Sequence, residues 1–337
     1  MGPQAQAWGG RGHHLICAVA TRLVQEPKLA DFLASRGDLM GHVCNIPDIH
    51  WKSREDWRKV GDPTHYLNPE NVGLPIAKLP LSYPAFALLT NSRTQTVNGH
   101  SAGSLWWRAD QFVRIATSEA LKARESTPPS TRPEEQSDTL PYNSGVFQMM
   151  VHMGLLGHFV GDASMPFHNH SDYDGKEAGH AGIHAYYEES SVSAQPLSFA
   201  AEVETKAKEL RRKQNYKVGT TVERMRKISE RAVAEREAAL KSDPLSAAGR
   251  PADEQGAKAF RALILRQMAD SAAQLAQFWD DAYVAGGKPD LSKYRSYRYP
   301  FTPDFVAPDY LDPTNQPSPG PSPALPPTAP TPTTKGP

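Results

Sequence analysis

Residues 156–189 read LGHFVGDASMPFHNHSDYDGKEAGHAGIHAYYEE. Within this stretch His158 and Asp162 stand four residues apart, a spacing that places both side chains on one face of a helix. His184 and Glu188 repeat the spacing on a second candidate helix. Because imidazoles and carboxylates are ligands that Zn²⁺ takes, the stretch predicts a metal site carried by helices.

Further candidate ligands extend the site beyond these two pairs. His168 lies between the pairs, and three separate upstream segments contribute His13, Asp48 and His65. This set is larger than one closed tetrahedral ion requires. The sequence therefore indicates a cluster of ions.

Helical periodicity runs through most of the chain. Apolar residues recur at helical spacing over residues 104–123, 146–159 and 257–283, whereas residues 206–240 form a charged stretch with weaker apolar support. Polar loops are expected at residues 126–138 and 242–253, and strand signals are scarce. We therefore expect an all-α fold in one compact multi-helix domain.

The order of the candidate ligands resembles one superfamily. A Trp five residues before a His is followed by an Asp, a His, an H-x-x-x-D motif with another His six residues on, and an H-x-x-x-E motif. This pattern is similar to the three-zinc phosphodiesterases, a group that contains zinc-dependent bacterial phospholipases C and secreted single-strand-specific nucleases. It spans Trp8 to Glu188 of the 337 residues.

The resemblance implies three zinc ions, each with its own ligands. In that family the free α-amino group and the carbonyl of an N-terminal Trp ligate one zinc. Here the first zinc would take Trp8, His13 and a bridging Asp162. The second would take Asp48, His65, His158 and the same Asp162, and the third would take His168, His184 and Glu188.

The catalytic chemistry that the resemblance implies is hydrolysis of a phosphodiester. Two cations sharing Asp162 would hold a bridging hydroxide, which metal binding makes available near neutral pH, for in-line attack on phosphorus. Asp48 is expected to be mainly a ligand whose second oxygen orients or deprotonates the attacking water. Lys52 and Arg54 either contact phosphate or are solvated basic residues.

The identity of the substrate is left open by two opposing features. The H-x-x-x-E ending and the short span from His168 favour a phospholipase C that acts on phospholipid headgroups. Tyr66 and Asn68, which follow His65, look more like a single-strand-specific nuclease, in which such residues stack on a base and hydrogen-bond to it. The structural alternative is a packed ring and a turn-forming Asn. Dual activity on lipid and nucleic acid fits the same cluster.

A non-catalytic zinc-binding protein is the alternative from another functional class. A complete ligand set with an open water position argues against it, because structural zinc sites are closed by protein ligands.

Three tyrosines near the cluster would either form a cage for a cationic headgroup or simply pack in the core: Tyr173, Tyr186 and Tyr187. His180, four residues before His184, is the main competitor for its place in the third group.

The two ends of the chain differ from the helical region. Ala5-Gln6-Ala7 forms an A-x-A signal-peptidase site immediately before Trp8, although no charged or apolar signal region precedes it. We therefore expect residues 1–7 to be a signal-peptide remnant, residues 8–312 to be the catalytic domain of a secreted or periplasmic protein, and residues 313–337 to be a disordered Pro-rich tail.

Composition sets limits on partners. Lys plus Arg and Asp plus Glu number 37 each, which gives no electrostatic case for binding a long polyanion. No apolar run is long enough for a membrane span, so membrane contact would be peripheral and would come from the catalytic domain. Cys17 and Cys44 form either one disulfide or two buried thiols. We expect a monomer.

Overall fold

The computed structural model describes residues 8–90, 96–97, 100–130, 139–294 and 302–311. The chain is mostly helical, which confirms the all-α prediction. The expected signal remnant at residues 1–7 and the expected tail at residues 313–337 lie outside the described residues, as do residues 131–138 of the expected polar loop. No helix in the described part of the chain combines the length and the apolar character that crossing a membrane requires.

Short helices dominate the first part of the chain. They are α1 (Gly9–Ala20), α2 (Pro27–Leu33), α3 (Gly37–Ile49), α4 (Glu55–Gly61), α5 (Pro69–Val72) and α6 (Tyr83–Ala87). Single 3₁₀ turns separate some of them, at Trp51–Ser53, Asp62–Thr64 and Ile76–Lys78. Two short antiparallel strands follow, β1 (Thr96–Val97) and β2 (His100–Ser101).

Long helices form the second part and most of the core. They are α7 (Leu105–Glu125), α8 (Pro141–Ser164), α11 (Phe199–Lys213), α12 (Thr221–Ser242) and α13 (Asp253–Ala285). Between α8 and α11 lie a 3₁₀ turn (Pro166–Asn169) and a helix made of α9 (Ile183–Ala185), a π-helical turn (Tyr186–Ser190) and α10 (Ser191–Ser193).

Helix α8 lies at the centre of the molecule. It begins with Pro141 at its first position, where the missing N–H costs no hydrogen bond, and it ends just before Met165, whose extended backbone suits the residue preceding Pro166. Every residue of α8 from Met149 to Ser164 is buried, so this part of the helix is buried on all faces rather than on one stripe. The helix packs along α7 and is also contacted by α1, α3 and α13. The ligand candidates His158 and Asp162 on α8 are therefore fully buried.

The predicted helical segments 104–123, 146–159 and 257–283 correspond to α7, α8 and α13. The charged stretch 206–240 is divided between α11 and α12. Gly219 has a φ of 105°, which an L side chain rarely adopts, and Thr220 begins α12 with a capping box to Glu223. Since α11 already ends at Lys213, these two features mark the start of α12.

Glycines on α8 allow α1 and α3 to approach its backbone. A Cβ atom built on Gly154 would lie 2.7 Å from the Val43 side chain of α3. The same atom on Gly157 would lie 2.1 Å from Cys17 Sγ of α1, and on Gly161 it would lie 2.9 Å from the His13 ring. Larger residues would therefore force both helices away from α8. Cys17 and Cys44 are buried free thiols at this contact.

We predict that Gly157→Ala destabilises the protein by about 1–3 kcal/mol, because the added methyl group overlaps the Cys17 sulfur in a packed core. Chemical denaturation monitored by circular dichroism measures the change. Gly10→Ala is the matched control, because nothing lies within 4 Å of the added Cβ atom on this helical glycine. The control should leave stability unchanged or raise it slightly. Equal stability of the two variants would contradict close packing at Gly157.

Candidate metal centre

The centre of the site is a pair of ligand candidates on α8. His158 and Asp162 are both fully buried, and His158 Nε2 lies 3.4 Å from Asp162 Oδ2. His158 Nδ1 donates a hydrogen bond to the Cys44 carbonyl at 2.9 Å. Because a carbonyl can only accept, this bond fixes the ring orientation and leaves Nε2 free to face Asp162.

A four-residue group forms where α3 and the segment after Thr64 meet α8. His65 Nδ1 lies 3.1 Å from Asp162 Oδ2 and 2.9 Å from His158 Nε2. Asp48 Oδ1 lies 3.7 Å from His65 Nδ1 and 3.6 Å from His158 Nε2. Ligand atoms of a tetrahedral zinc with bonds of about 2.0–2.1 Å stand roughly 3.3 Å apart. The separations among these four side chains, 2.9–3.7 Å, are close to that spacing.

A second group joins the 3₁₀ turn after α8 to the helix that begins at Ile183. His184 Nε2 lies 3.1 Å from His168 Nε2 and 3.0 Å from Glu188 Oε2. His168 Nδ1 donates to the His65 carbonyl at 2.7 Å, and the Leu67 N–H donates back to the His168 carbonyl at 2.9 Å. These reciprocal bonds hold the two ligand segments together and turn His168 Nε2 towards the group.

His13 brings α1 to the other side of Asp162. Its Nε2 lies 3.3 Å from Asp162 Oδ1, and its ring stacks on that of His158 at a centroid distance of 4.0 Å. His13, Asp48 and His158 also offer ligand atoms within 4.8 Å of one another. Asp162 therefore has His13 beside Oδ1, and His65 and His158 beside Oδ2.

Trp8 is fully buried at the start of α1. Its indole Nε1 donates to the Gly161 carbonyl at 2.7 Å, and its backbone nitrogen donates to Glu188 Oε2 at 3.1 Å. The family resemblance instead places this nitrogen with His13 and Asp162. In the structure the nitrogen is an amide that contacts the third predicted group, so its role as a zinc ligand stays a prediction.

Burial controls the ionisation of the ligand candidates. It lowers the pKa of His168 and of His184 to about 4, and it lowers the pKa of His158 well below the usual value. These imidazoles are consequently neutral near pH 7, the form that binds a metal. Burial also raises the pKa of Asp162 and of Glu188 well above the usual value.

Two buried carboxylate oxygens indicate that a cation fits the site. Asp48 Oδ2 and Glu188 Oε1 find no hydrogen-bond donor among the residues that the structure describes. Such atoms are costly to leave unsatisfied in a protein interior. Three buried His, Asp and Glu groups can hold metal ions here, and their members are all eight predicted side-chain ligands: His13, Asp48, His65, His158, Asp162, His168, His184 and Glu188.

Lys52 is a further charged residue in the site. Its Nζ lies 2.6 Å from Asp48 Oδ1, and its side chain is 16% exposed. Burial by itself would raise the pKa of Asp48, but the charges of Lys52 and His65 lower it overall. The i,i+4 spacing of Asp48 and Lys52 could have indicated this pair from the sequence.

Other predicted residues have structural partners. The Tyr66 hydroxyl donates to Ser101 Oγ at 2.7 Å, and Asn68 Nδ2 donates to the Ser101 carbonyl at 2.9 Å. These bonds agree with the structural alternative, and a role in substrate binding stays a prediction. His180 lies with its Nδ1 2.9 Å from Asp243 Oδ2, so His184 and not His180 belongs to the third group.

The three tyrosines near the cluster differ in exposure. Tyr186 and Tyr187 are buried, and their hydroxyls donate to the Ala252 carbonyl and to Gln267 Oε1. Tyr173 is 53% exposed and packs edge-to-face against His184 at 5.5 Å. Of these three rings, only that of Tyr173 is accessible to a ligand.

Comparison with known proteins adds no assignment, since no family model and no curated protein matches the chain.

We predict that Arg11 keeps α1 in register with the helix that carries Glu188. Its Nη1 donates to the carbonyls of Val192, Ser193 and Gln195 at 3.1, 2.5 and 2.7 Å. Arg11→Met keeps most of the chain length but removes the donors, and it should cost about 1–3 kcal/mol of stability and reduce zinc retention. Denaturation and metal analysis after dialysis measure both effects.

Arg22→Met is the control for Arg11→Met. Arg22 is a 54% exposed residue that forms an ion pair with Glu204, and such pairs contribute little. Unchanged zinc retention in Arg11→Met would show that this contact does not position the metal groups.

Proposed function

We propose that this protein is a zinc-dependent phosphodiester hydrolase, most similar in action to a phospholipase C. The single observation that carries the proposal is the arrangement of three buried ligand groups around Asp162, with the family's residue types in the family's order. The site contains carboxylates and imidazoles with no Cys in the groups, which differs from closed structural zinc sites rich in thiolates. This difference favours a catalytic role over zinc storage.

The residues present fit zinc ions. His65, His158, Asp48 and Asp162 would hold one ion. His168, His184 and Glu188 would hold another. His13 and Asp162 would hold the third together with Trp8. When bound, such ions supply Lewis acidity to the phosphoryl oxygens and lower the pKa of water near the scissile bond.

Asp48 is the proposed proton acceptor for the attacking water. Its Oδ1 faces Lys52, His65 and His158, whereas its Oδ2 has no hydrogen-bond donor within the described residues. One oxygen can thus remain with the ligand group while the other orients the water and takes its proton. The lowered pKa of Asp48 keeps the carboxylate in the ionised form that a metal ligand requires.

Lys52 is the proposed residue that neutralises charge on the phosphate. Its side chain is mostly buried, and its Nζ lies 2.6 Å from Asp48 Oδ1, one of the proposed zinc ligands. A fixed positive charge in a water-poor site stabilises the oxyanions that develop during displacement. The arrangement supports the phosphate-contacting alternative for this lysine.

A phospholipid is the preferred substrate class. The H-x-x-x-E motif supports it, and the polar groups of Tyr66 and Asn68 that a nuclease would use for a base already bond to Ser101. A single-strand-specific endonuclease, or activity on both classes, is the alternative outcome of the substrate test. Secretion or export to the periplasm belongs to the same proposal.

The test is turnover by zinc-reconstituted protein of bis(p-nitrophenyl) phosphate, phosphatidylcholine and single-stranded DNA in parallel. We expect the generic diester and the lipid to be cleaved. In Asp162→Asn, activity should fall by at least about a thousandfold and more than one zinc equivalent should be lost, because the proposed bridging carboxylate is removed.

Asp110→Asn is the control, since Asp110 is a partly buried helical aspartate paired with Arg114 at the same i,i+4 spacing. It should retain zinc and turnover. Absence of turnover on all three substrates by wild-type protein with a full zinc content would refute the hydrolase proposal. Cleavage of DNA alone would move the assignment to the nucleases.

We also predict that zinc content depends on the residue at which the chain starts. A chain beginning at Trp8 presents a free amine with a lone pair for the metal, whereas an amide nitrogen at the same place has none to offer. Protein starting at Trp8 should bind about one zinc more per chain than protein that retains residues 1–7.

A chain that starts at Ala7 is the control, because its amine is displaced by one residue. Metal analysis by mass spectrometry measures all three forms. Equal zinc contents would remove the Trp8 amine from the ligand set.

A further inference from the structure

A second candidate ligand site lies at the far end of α1 from the metal centre. A cavity of about 320 Å³ is formed by the end of α11, the loop that follows it, Gln25 and Gln277 of α13. The helical rise from His13 to Ala20 alone separates the two ends of α1 by about 10 Å. The cavity is therefore separate from the three ligand groups.

The lining of this cavity is strongly basic. It includes Arg211, Arg212, Lys213 and Lys217, and no carboxylate residue is part of the lining within the described chain. The other lining residues are Tyr216 and the amides Gln25, Gln214, Asn215 and Gln277. This composition suits an anion with several hydrogen-bond acceptors.

Arg211 is a buried lining residue whose side chain is held by hydrogen bonds. Its side chain is 7% exposed, and it donates to the Leu23 carbonyl at 2.7 Å and to Gln277 Oε1 at 3.1 Å. Asp280 Oδ2, at 3.4 Å, balances its charge. Lys213 is likewise balanced by Glu209 at 2.6 Å.

Arg212 and Lys217 supply the charge that is not balanced. Both side chains are exposed, and neither forms an ion pair with any residue in the described part of the chain. The helix dipole explains cations in the last turn of α11, where Arg212 lies. It does not explain Lys217 in the following loop, nor the open cavity that Gln25 and Gln277 help to line.

We infer that this cavity binds a small organic phosphate monoester. Two unbalanced cations match the charge of about −1.5 to −2 that a phosphate monoester carries at pH 7. The Arg212 guanidinium and the Lys217 ammonium both line the cavity, and each can contact a phosphate oxygen. The volume lies at the lower end of the range of about 300–1,000 Å³ that small-molecule sites occupy, which is enough for a nucleotide-sized ligand.

This inference does not depend on the proposed hydrolysis, although hydrolysis of a phosphodiester would produce ligands of this class. A phosphorylated headgroup and a nucleoside monophosphate are two ligands that carry the same phosphate monoester group. The test therefore uses both phosphocholine and adenosine monophosphate, with choline and adenosine as counterparts that lack phosphate.

The experiment is calorimetric titration of the full-length, zinc-reconstituted protein. The double variant Arg212→Gln/Lys217→Gln should bind the two phosphate monoesters about tenfold or more weakly, which corresponds to about 1.4 kcal/mol or more. Lys258→Gln is the control, since Lys258 is an exposed lysine of α13 away from the cavity. It should bind as the wild type does.

Binding at the metal centre is common to all three proteins, so the difference between them reports on the cavity. Turnover of a small diester should be the same in wild type and double variant. Identical isotherms for wild type and double variant would overturn the inference, and so would equal affinity for adenosine and its monophosphate. Neither result bears on the proposed hydrolase activity. Absence of turnover in the wild type would refute that activity without affecting the binding comparison. A preference for phosphocholine or for the nucleotide identifies the source of the ligand.

Discussion

The fully buried carboxylate of Asp162 is the constraint on which the rest of the site depends. It stands on the central helix, and imidazoles of His13, His65 and His158 lie beside its two oxygens. Burying a carboxylate without compensation is expensive, and burial lowers the pKa of His65 and of His158 well below the usual value, so these two rings are neutral near pH 7. Lys52 brings one positive charge into the region, but it contacts Asp48. A protein interior with this many ligand atoms and so little positive charge fits bound cations.

The packing of the helices serves the same arrangement. Glycines 157 and 161 on α8 let α1 approach until His13 and Cys17 touch the central helix. Backbone carbonyls then orient the rings, with Cys44 accepting from His158 and the His65 carbonyl accepting from His168. Ligand positions therefore follow from helix contacts and main-chain bonds, and a metal ion would add its own binding energy to a site that is largely formed.

The parts of the site that could be predicted from sequence are those with a local period. The i,i+4 pairs His158–Asp162 and His184–Glu188 are visible because a helix repeats every 3.6 residues, and both are adjacent in the structure. The meeting of Asp48 and His65 with α8 required the family resemblance, because no local pattern reports a long-range contact.

Contacts made by the backbone or by one long side chain escaped prediction. Every residue has a backbone carbonyl, so the sequence does not indicate that those of Cys44 and His65 accept hydrogen bonds from ligand rings. Arg11 donates to carbonyls that lie about 180 residues further along the chain, and no local pattern predicts such a contact. The break between α11 and α12 was also missed, because weak apolar periodicity in this charged stretch hid the end of α11 at Lys213 and the capping box at Thr220.

Anomalous X-ray scattering at the zinc edge, from crystals of protein that starts at Trp8, would show directly whether zinc occupies the three ligand groups. We expect three zinc peaks, each within about 2.0–2.3 Å of ligand atoms from the groups that contain His13, His65 and His184. All three should lie near Asp162 and Glu188. Absence of zinc from these groups at saturating zinc, or a single peak elsewhere in the molecule, would refute the proposed zinc cluster.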